Sequence, residues 1–175
     1  MTLPPPELMV LVGNRFACVK VSGRANFTLA VDFKTLVASL VQKGCAYFVI
    51  DLAECLLMDS TFLGVLAGLG LKMNPADSES GGQAIELLNP NQRIVGLLES
   101  LGVLQLFKIS QGPFSAPESL EACSHEPMHP SREELTRASL EAHQTLMAIN
   151  PANAARFKDV AHFLAEDLQK LAGKS

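Results

Sequence analysis

Aromatic and basic residues are scarce in this chain of 175 residues. It contains no tryptophan and one tyrosine, so it offers few side chains on which nucleic-acid bases could stack. Lysine and arginine number 14 against 18 for aspartate and glutamate, and the formal net charge is −4. Duplex affinity depends on neutralising phosphates, so a mildly acidic chain without a basic run argues against direct nucleic-acid binding.

Long apolar runs are also missing. The longest, residues 62–71, is about half of what a bilayer span requires. Met1–Pro6 is not a basic segment followed by an apolar one, so we expect no signal peptide. Cys18, Cys45 and Cys55 lie in apolar stretches without close pairing. We therefore expect reduced thiols, a cytoplasmic location and no membrane insertion.

Apolar periodicity predicts the element order β-β-α-β-α-β-α-β over residues 1–111, which we take as one domain. The predicted strands are 8–12, 16–22, 47–52, 84–88 and 106–109, and the predicted helices are 33–43, 60–73 and 90–101. Gly13-Asn14 is typical of a hairpin turn, which would place an antiparallel strand at the edge. Strand–helix alternation with short links implies parallel strands elsewhere. The fold class is α/β, with a mostly parallel mixed sheet of about five strands.

Three residue pairs predict helix ends. Asp32 is a suitable N-cap for the first helix, and Lys43-Gly44 is a suitable end. Asn74-Pro75 would close the second helix. Asn89-Pro90 predicts the start of the third, with asparagine as N-cap and proline at the first helical position.

The composition changes after residue 111. Four prolines within residues 112–130 indicate a linker. Ser131 and Glu134 match a capping box, and Asn150-Pro151 predicts a second helix start, so residues 131–175 form a predicted helical hairpin. The apolar stripe of its first helix contains Leu135, Ala138, Ala142, Leu146 and Ile149. The domain, a second copy of the chain in a homodimer, or a partner must cover that stripe.

The linker contains the letters of a zinc-protease motif, H-E-x-x-H, at residues 125–129. That chemistry requires both histidines one turn apart on a helix. Pro127 and Pro130 disfavour a helix there. Cys123, His125 and His129 could together hold a metal loosely, but three ligands in a linker are more often coincidence. We predict no metal site, no cofactor and no catalytic residue.

The segment around Ser60 is the most informative. Asp59 and Ser60 both commonly cap helices, and plain capping is one interpretation. The helix that follows is apolar almost all round, whereas a peripheral helix has one polar face. Either the helical hairpin or a partner must cover the spare face.

Two segments of the domain carry a recognisable pattern. The first contains Asp51-Leu52, a variable stretch, Met58-Asp59-Ser60-Thr61 and Leu63-Gly64-Val65-Leu66. The second contains Asn89-Pro90, residues 95–103 with a Leu101-Gly102 step, and Leu106-Phe107. Together they resemble the STAS-domain anti-sigma factor antagonists, and the resemblance covers residues 8–110. The resemblance implies a STAS-like fold for the domain.

The resemblance also implies partner switching in transcription regulation, without enzyme activity. The unphosphorylated antagonist binds an anti-sigma factor that is often also its serine kinase, phosphorylation blocks that binding, and a serine phosphatase restores it. The phosphorylated residue here would be Ser60, with Thr61 as a lesser candidate. The partner-binding residues would be Asp59, Ser60, Thr61, Phe62 and Asn26. Phe62 replaces a small residue of the family, so it would anchor a partner or obstruct a kinase.

Two other functions stay open on the sequence. The chain could be a non-switching STAS scaffold, a subunit of a transporter or signalling complex, in which Ser60 only caps a helix. An enzyme or nucleotide binder is the third hypothesis. It has little support, since the chain has neither a G-x-S-x-G motif nor a Walker loop.

Overall fold

The computed structural model of the chain describes residues 5–73, 84–116 and 119–173. The strands in these residues are β1 (Glu7–Val12), β2 (Phe16–Ala25), β3 (Tyr47–Asp51), β4 (Cys55–Met58), β5 (Ile85–Leu88), β6 (Lys108–Ser110) and β7 (Glu121–Cys123). The helices are α1 (Phe27–Gln42), α2 (Ser60–Met73), α3 (Gln92–Ser100), α4 (Arg132–Ile149) and α5 (Ala154–Ala172). Short 3₁₀ helices lie at Leu104–Leu106 and Pro151–Asn153.

A mixed sheet in the order β6-β5-β3-β2-β1-β7 forms the centre of the fold. Strands β2, β3, β5 and β6 are mutually parallel, whereas β1 is antiparallel to both β2 and β7. Strand β4 lies off this path, parallel to the end of β2. The predicted α/β class, with a mostly parallel mixed sheet and a C-terminal helical hairpin, is confirmed.

The alternation in β2 separates two faces of the sheet. Ala17, Val19 and Val21 belong to the main core, together with residues of α1, α2 and α3. Phe16 points to the opposite face, where its ring stacks on Tyr47 at a centroid distance of 5.6 Å. The helices therefore pack on one face, and the start of α2 emerges on that side.

The predicted cap of the first helix was wrong. Helix α1 begins at Phe27, and the side chain of Asn26 accepts a hydrogen bond from the Leu29 backbone N–H at 3.0 Å. Asp32 instead lies buried within α1, where its carboxylate accepts from the Met128 backbone N–H at 3.3 Å. The apolar stripe extends one turn back to Leu29, so tertiary burial favours the earlier start.

The third helix also begins later than predicted. Asn91, not Asn89, is the N-cap of α3, and it accepts from the Ile94 N–H at 2.9 Å. Asn89 has a φ of 56° and exchanges two hydrogen bonds with the Gly112 backbone, at 2.8 and 2.9 Å. That left-handed turn excludes Asn89 and Pro90 from the helix.

Three further boundaries differ from the prediction. The last parallel strand is β6, Lys108–Ser110, because residues 104–106 form a 3₁₀ turn. The linker contains β7, which pairs with β1, so β1 is not the edge strand. Helix α5 begins at Ala154, after a 3₁₀ turn over Pro151–Asn153. The predicted stop at Asn74-Pro75 lies outside the described residues.

The predicted capping box of the hairpin is present, since Ser131 and Glu134 each accept from the other's backbone N–H.

None of the helices in the described ranges is long and apolar enough to cross a membrane.

Candidate functional site

Strand β4 leads directly into Asp59 and Ser60, which lie at the start of α2. The Asp59 backbone N–H donates to the Ala25 carbonyl at 2.9 Å, which continues the β2–β4 pairing by one residue. The Asp59 carboxylate accepts from the Phe62 N–H at 2.8 Å, and its carbonyl accepts from the Leu63 N–H at 3.0 Å. Asp59 is therefore the N-cap, and Ser60 is the first helical residue.

Burial of the Asp59 carboxyl raises its pKa above the ordinary value of 3.8. Hydrogen bonds from the backbone N–H groups of Phe62, Phe27 and Thr61 oppose this rise, but burial has the larger effect. The folded protein therefore favours the protonated carboxyl more than the unfolded chain does.

Asp59→Asn should gain stability relative to the natural chain as the pH rises. Because the folded-state pKa is raised, the carboxyl contributes stability below its unfolded-state pKa, and this contribution is lost as the pH rises through the folded-state pKa. Asparagine keeps an acceptor for the Phe62 N–H and does not ionise. Urea unfolding at about pH 3 and about pH 7 measures the difference. A mutant advantage that is flat or falls with pH would contradict the burial argument.

The Ser60 hydroxyl lies against a histidine of the C-terminal hairpin. Its Oγ is 2.8 Å from Nε2 of His143, and Nδ1 of the same ring is 2.6 Å from the Ser139 carbonyl oxygen. A carbonyl oxygen can only accept, so Nδ1 carries a proton. In the neutral ring Nε2 is then an acceptor, and Ser60 donates to it.

The neighbouring hydroxyl is covered by the same helix. Thr61 is only 4 % exposed, and its Oγ1 is 2.8 Å from Oγ of Ser139. Ser60 is half-buried. Both candidate phosphorylation sites therefore face α4, and Ser60 is the more accessible of the two.

Two of the predicted partner-binding residues have other roles in the structure. Phe62 is 0 % exposed, and its ring packs 5.0 Å from that of Phe33. The Phe62 side chain is therefore part of the core in this structure, and its role as a partner anchor stays a prediction. Asn26 lies half-buried beside the site and uses its side chain to cap α1.

Helix α4 crosses α2 at very short range. A Cβ added to Gly64 would lie 2.4 Å from the Ala142 carbonyl oxygen, closer than real side chains approach. Glycine at this position is what allows the two helices to touch. The apolar face of α2 is therefore covered by the chain's own hairpin, which was one of the two alternatives for this face.

His143 and Ser139 did not appear among the predicted site residues. They lie 83 and 78 residues beyond their partners in the chain, so no local pattern joins them to the second helix. One signal was present. Both follow stripe residues of α4, Ala138 and Ala142, so they occupy the edge of the face that packs on the domain.

His125, the first histidine of the zinc-protease motif, lies close to a carboxylate of the domain. Nε2 of His125 is 3.0 Å from Oδ1 of Asp32, which lies in α1. The helix that the zinc-protease motif requires is absent from this stretch, since residues 124–130 have no regular secondary structure. The linker contacts α1 here, where the Met128 backbone N–H also donates to Asp32.

Neither a protein-family model nor a curated protein sequence matches the chain. Among solved structures, it is similar to the anti-sigma factor antagonist SpoIIAA in its unphosphorylated form, with 12 % identity and a TM-score of 0.49 over 59 % of this chain and 87 % of that one. An anti-sigma factor antagonist from Mycobacterium paratuberculosis aligns with 17 % identity and a TM-score of 0.48, over 61 % and 86 %. SpoIIAA of Bacillus in its phosphorylated form aligns with 13 % identity and a TM-score of 0.46, over 59 % and 90 %.

These solved structures are antagonists of the class that the sequence resembles. At these identities and TM-scores, the similarity does not establish the function of this chain.

Proposed function

We propose that this chain is an anti-sigma factor antagonist that binds an anti-sigma factor with serine kinase activity and is switched off by phosphorylation at Ser60. The observation that carries the proposal is the position of Ser60 directly after the Asp59 cap, in the first of the two sequence segments that resemble the antagonist family. The side-chain amide of Asn91, next to Asn89-Pro90 of the second segment, donates to the Cys55 and Leu56 carbonyls in the variable stretch of the first, at 3.2 and 3.0 Å. The two segments are therefore in contact in the folded chain.

The electrostatics of this position support a switch. A phosphate adds about −1.5 to −2 charges near neutral pH. At the first residue of a helix, that charge is favourable within the free protein because the unsatisfied N–H groups lie there. Against an acidic or apolar partner surface, the same charge is repelled or left without solvent. Phosphorylation can thus reduce binding without unfolding the domain.

Ser60→Asp should bind the partner about 5- to 150-fold more weakly than the natural chain, the usual range of allosteric coupling. The measurement is affinity capture from a lysate of the producing cell, read by mass spectrometry, followed by titration of the purified partner. Ser60→Ala is the matched control, because it also removes the hydroxyl that contacts His143 but adds no charge. We expect Ser60→Ala to retain the partner. Equal affinity of the aspartate and alanine variants would contradict the switch.

A non-switching scaffold is the second candidate, favoured by one observation. The hydroxyls of Ser60 and Thr61 are already engaged by α4, as they would be if they only joined two helices. A scaffold would retain the same partners with every variant of Ser60 and would carry no phosphate there. A serine phosphatase as the restoring enzyme belongs to the first proposal and would act on the same residue.

A further inference from the structure

The helical hairpin, α4 with α5, lies over the residues that the proposed switch uses. We propose that this hairpin is a built-in cover, and that it must lift from α2 before a kinase or a partner can reach Ser60. This inference rests on the proposed function, since it names the regulation of that same site. It concerns a segment outside the part of the chain that resembles the antagonist family.

The polar contacts of the cover fall on the two hydroxyls. His143 is paired with Ser60, and Ser139 with Thr61, each at 2.8 Å. A phosphoryl group on the Ser60 Oγ needs space where the imidazole ring now lies, since that ring is 2.8 Å from the oxygen. The seated hairpin and the phosphorylated serine therefore compete for one position.

The His143 ring cannot simply rotate away while the hairpin stays in place. Nδ1 is held by the Ser139 carbonyl at 2.6 Å, and the ring packs edge-on against Phe157 of α5 at a centroid distance of 5.1 Å. Both helices of the hairpin thus fix this ring. Clearing the Ser60 hydroxyl requires the hairpin to move as a unit.

The attachments of the hairpin differ along its length. Around the crossing, Ala142 is buried against Gly64, and the ion pair of Lys34 with Glu141, at 3.0 Å, is exposed. Such exposed contacts contribute little and are screened by salt. At the elbow, the buried side chain of Asn153 donates to the carbonyls of Leu101 and Leu146, at 2.9 and 2.8 Å. The elbow is the anchored end, about which the Ser60 end of α4 can lift.

The crossing at Gly64 provides a way to open the cover without touching Ser60. In Gly64→Ala the new Cβ would collide with the backbone of α4, so α4 must retreat. Gly68→Ala is the matched control, because a Cβ there meets only Thr145 Cγ2, at an ordinary 3.6 Å. Both changes lie in α2, and both replace glycine by the better helix former.

The test measures the accessibility of position 60 in the full chain. A Ser60→Cys, Cys123→Ser chain is labelled with N-ethylmaleimide, and mass spectrometry of the peptides gives the rate at residue 60. Cys123 is replaced because it is exposed. We expect Gly64→Ala to raise this rate about tenfold or more, and Gly68→Ala to leave it within about twofold. Equal rates in the two variants would overturn the proposal.

A second pair of variants is used if Gly64→Ala does not fold. Ala142→Leu enlarges the hairpin side of the same crossing and leaves every residue of the domain unchanged. Ala155→Leu, at an exposed position of α5, is its control. We expect Ala142→Leu to raise the labelling rate at residue 60 and Ala155→Leu to leave it nearly unchanged. An unchanged labelling rate in a folded Ala142→Leu chain would likewise overturn the proposal.

Labelling involves neither kinase nor partner, so it is independent of the proposed function. The second arm supplies ATP and a lysate of the producing cell to chains that retain Ser60, and measures phosphate at that residue. Faster phosphorylation of Gly64→Ala than of Gly68→Ala would show that the hairpin limits the access of the kinase to Ser60. No phosphate on any chain would contradict the proposed function while leaving the labelling result intact. Equal phosphorylation rates in variants that label differently would overturn the regulatory role of the cover.

Discussion

Alanine in place of Phe62 should lower the free energy of unfolding by about 3–5 kcal/mol, the usual cost of removing a buried phenylalanine ring. Phe62 is 0 % exposed, and its ring packs against Phe33 between α1 and α2. Both residues belong to the main core, which lies on the sheet. The cavity left by the ring can close only if two helices move, so the loss should be near the upper end of that range.

Urea unfolding of the natural chain and of Phe62→Ala measures this difference. Phe163→Ala is the matched control, because Phe163 is 63 % exposed on α5 and should change the free energy by about 0.5 kcal/mol or less. If Phe62→Ala were as stable as the control, the ring would not lie in the core. Phe62 would then return as a candidate partner anchor.

The second large effect is expected in the helical hairpin. Leu146→Ala should cost about 2–5 kcal/mol. Leu146 lies in α4, yet it is 0 % exposed and belongs to the same core cluster as the domain residues. Since the hairpin and the domain share this cluster, the substitution should shift one common unfolding transition and should not produce a separate early one.

The control for Leu146→Ala is Leu71→Ala, another helical leucine, which is 47 % exposed in α2. We expect the control to change the free energy of unfolding by about 0.5 kcal/mol or less. Circular dichroism and the fluorescence of Tyr47 report on the helices and on the sheet respectively. A loss of helical signal that leaves the sheet transition unchanged would mean that the hairpin unfolds by itself.

The proposed cover and the core contact of Leu146 concern different parts of the hairpin. Leu146 and Asn153 lie towards the elbow, where the contacts are buried. Ser139 and His143 lie one to two turns earlier in α4, where they make polar contacts to Ser60 and Thr61 beside the packing of Ala142 on Gly64. A movement that separates His143 from Ser60 can therefore leave the elbow in place, and the hairpin can contribute stability while still opening.

Much of the domain could be predicted from the sequence because its signals are local. The alternation in β2, the stripe of α1 and the continuous apolar run of β3 each depend on residues close together in the chain. Asp59 and Ser60 were predicted at a helix start for the same reason, since the cap bonds only to the next turn. The capping box at Ser131 and Glu134 is equally local.

The helix starts and short strands were predicted wrongly or missed where a contact between residues far apart in the chain decides between local alternatives. Asp32 and Asn26 are both suitable caps, and burial of Leu29 against the core selects the earlier one. Asn89 and Asn91 are both suitable, and the hydrogen bonds of Asn89 to Gly112 exclude it. Strands β4 and β7 are short and pair with β2 and β1, which are distant along the chain, so they show little periodicity of their own.

The sequence by itself determined the α/β class, the capped start of α2 and the choice of Ser60 as the candidate switch. Only the tertiary structure decided that Phe62 is in the core and that His143 and Ser139 contact Ser60 and Thr61. The physical reason is separation along the chain. Periodicity and capping act over one or two turns, whereas the packing of α4 on α2 depends on the close approach allowed at Gly64, which no local pattern in either helix specifies.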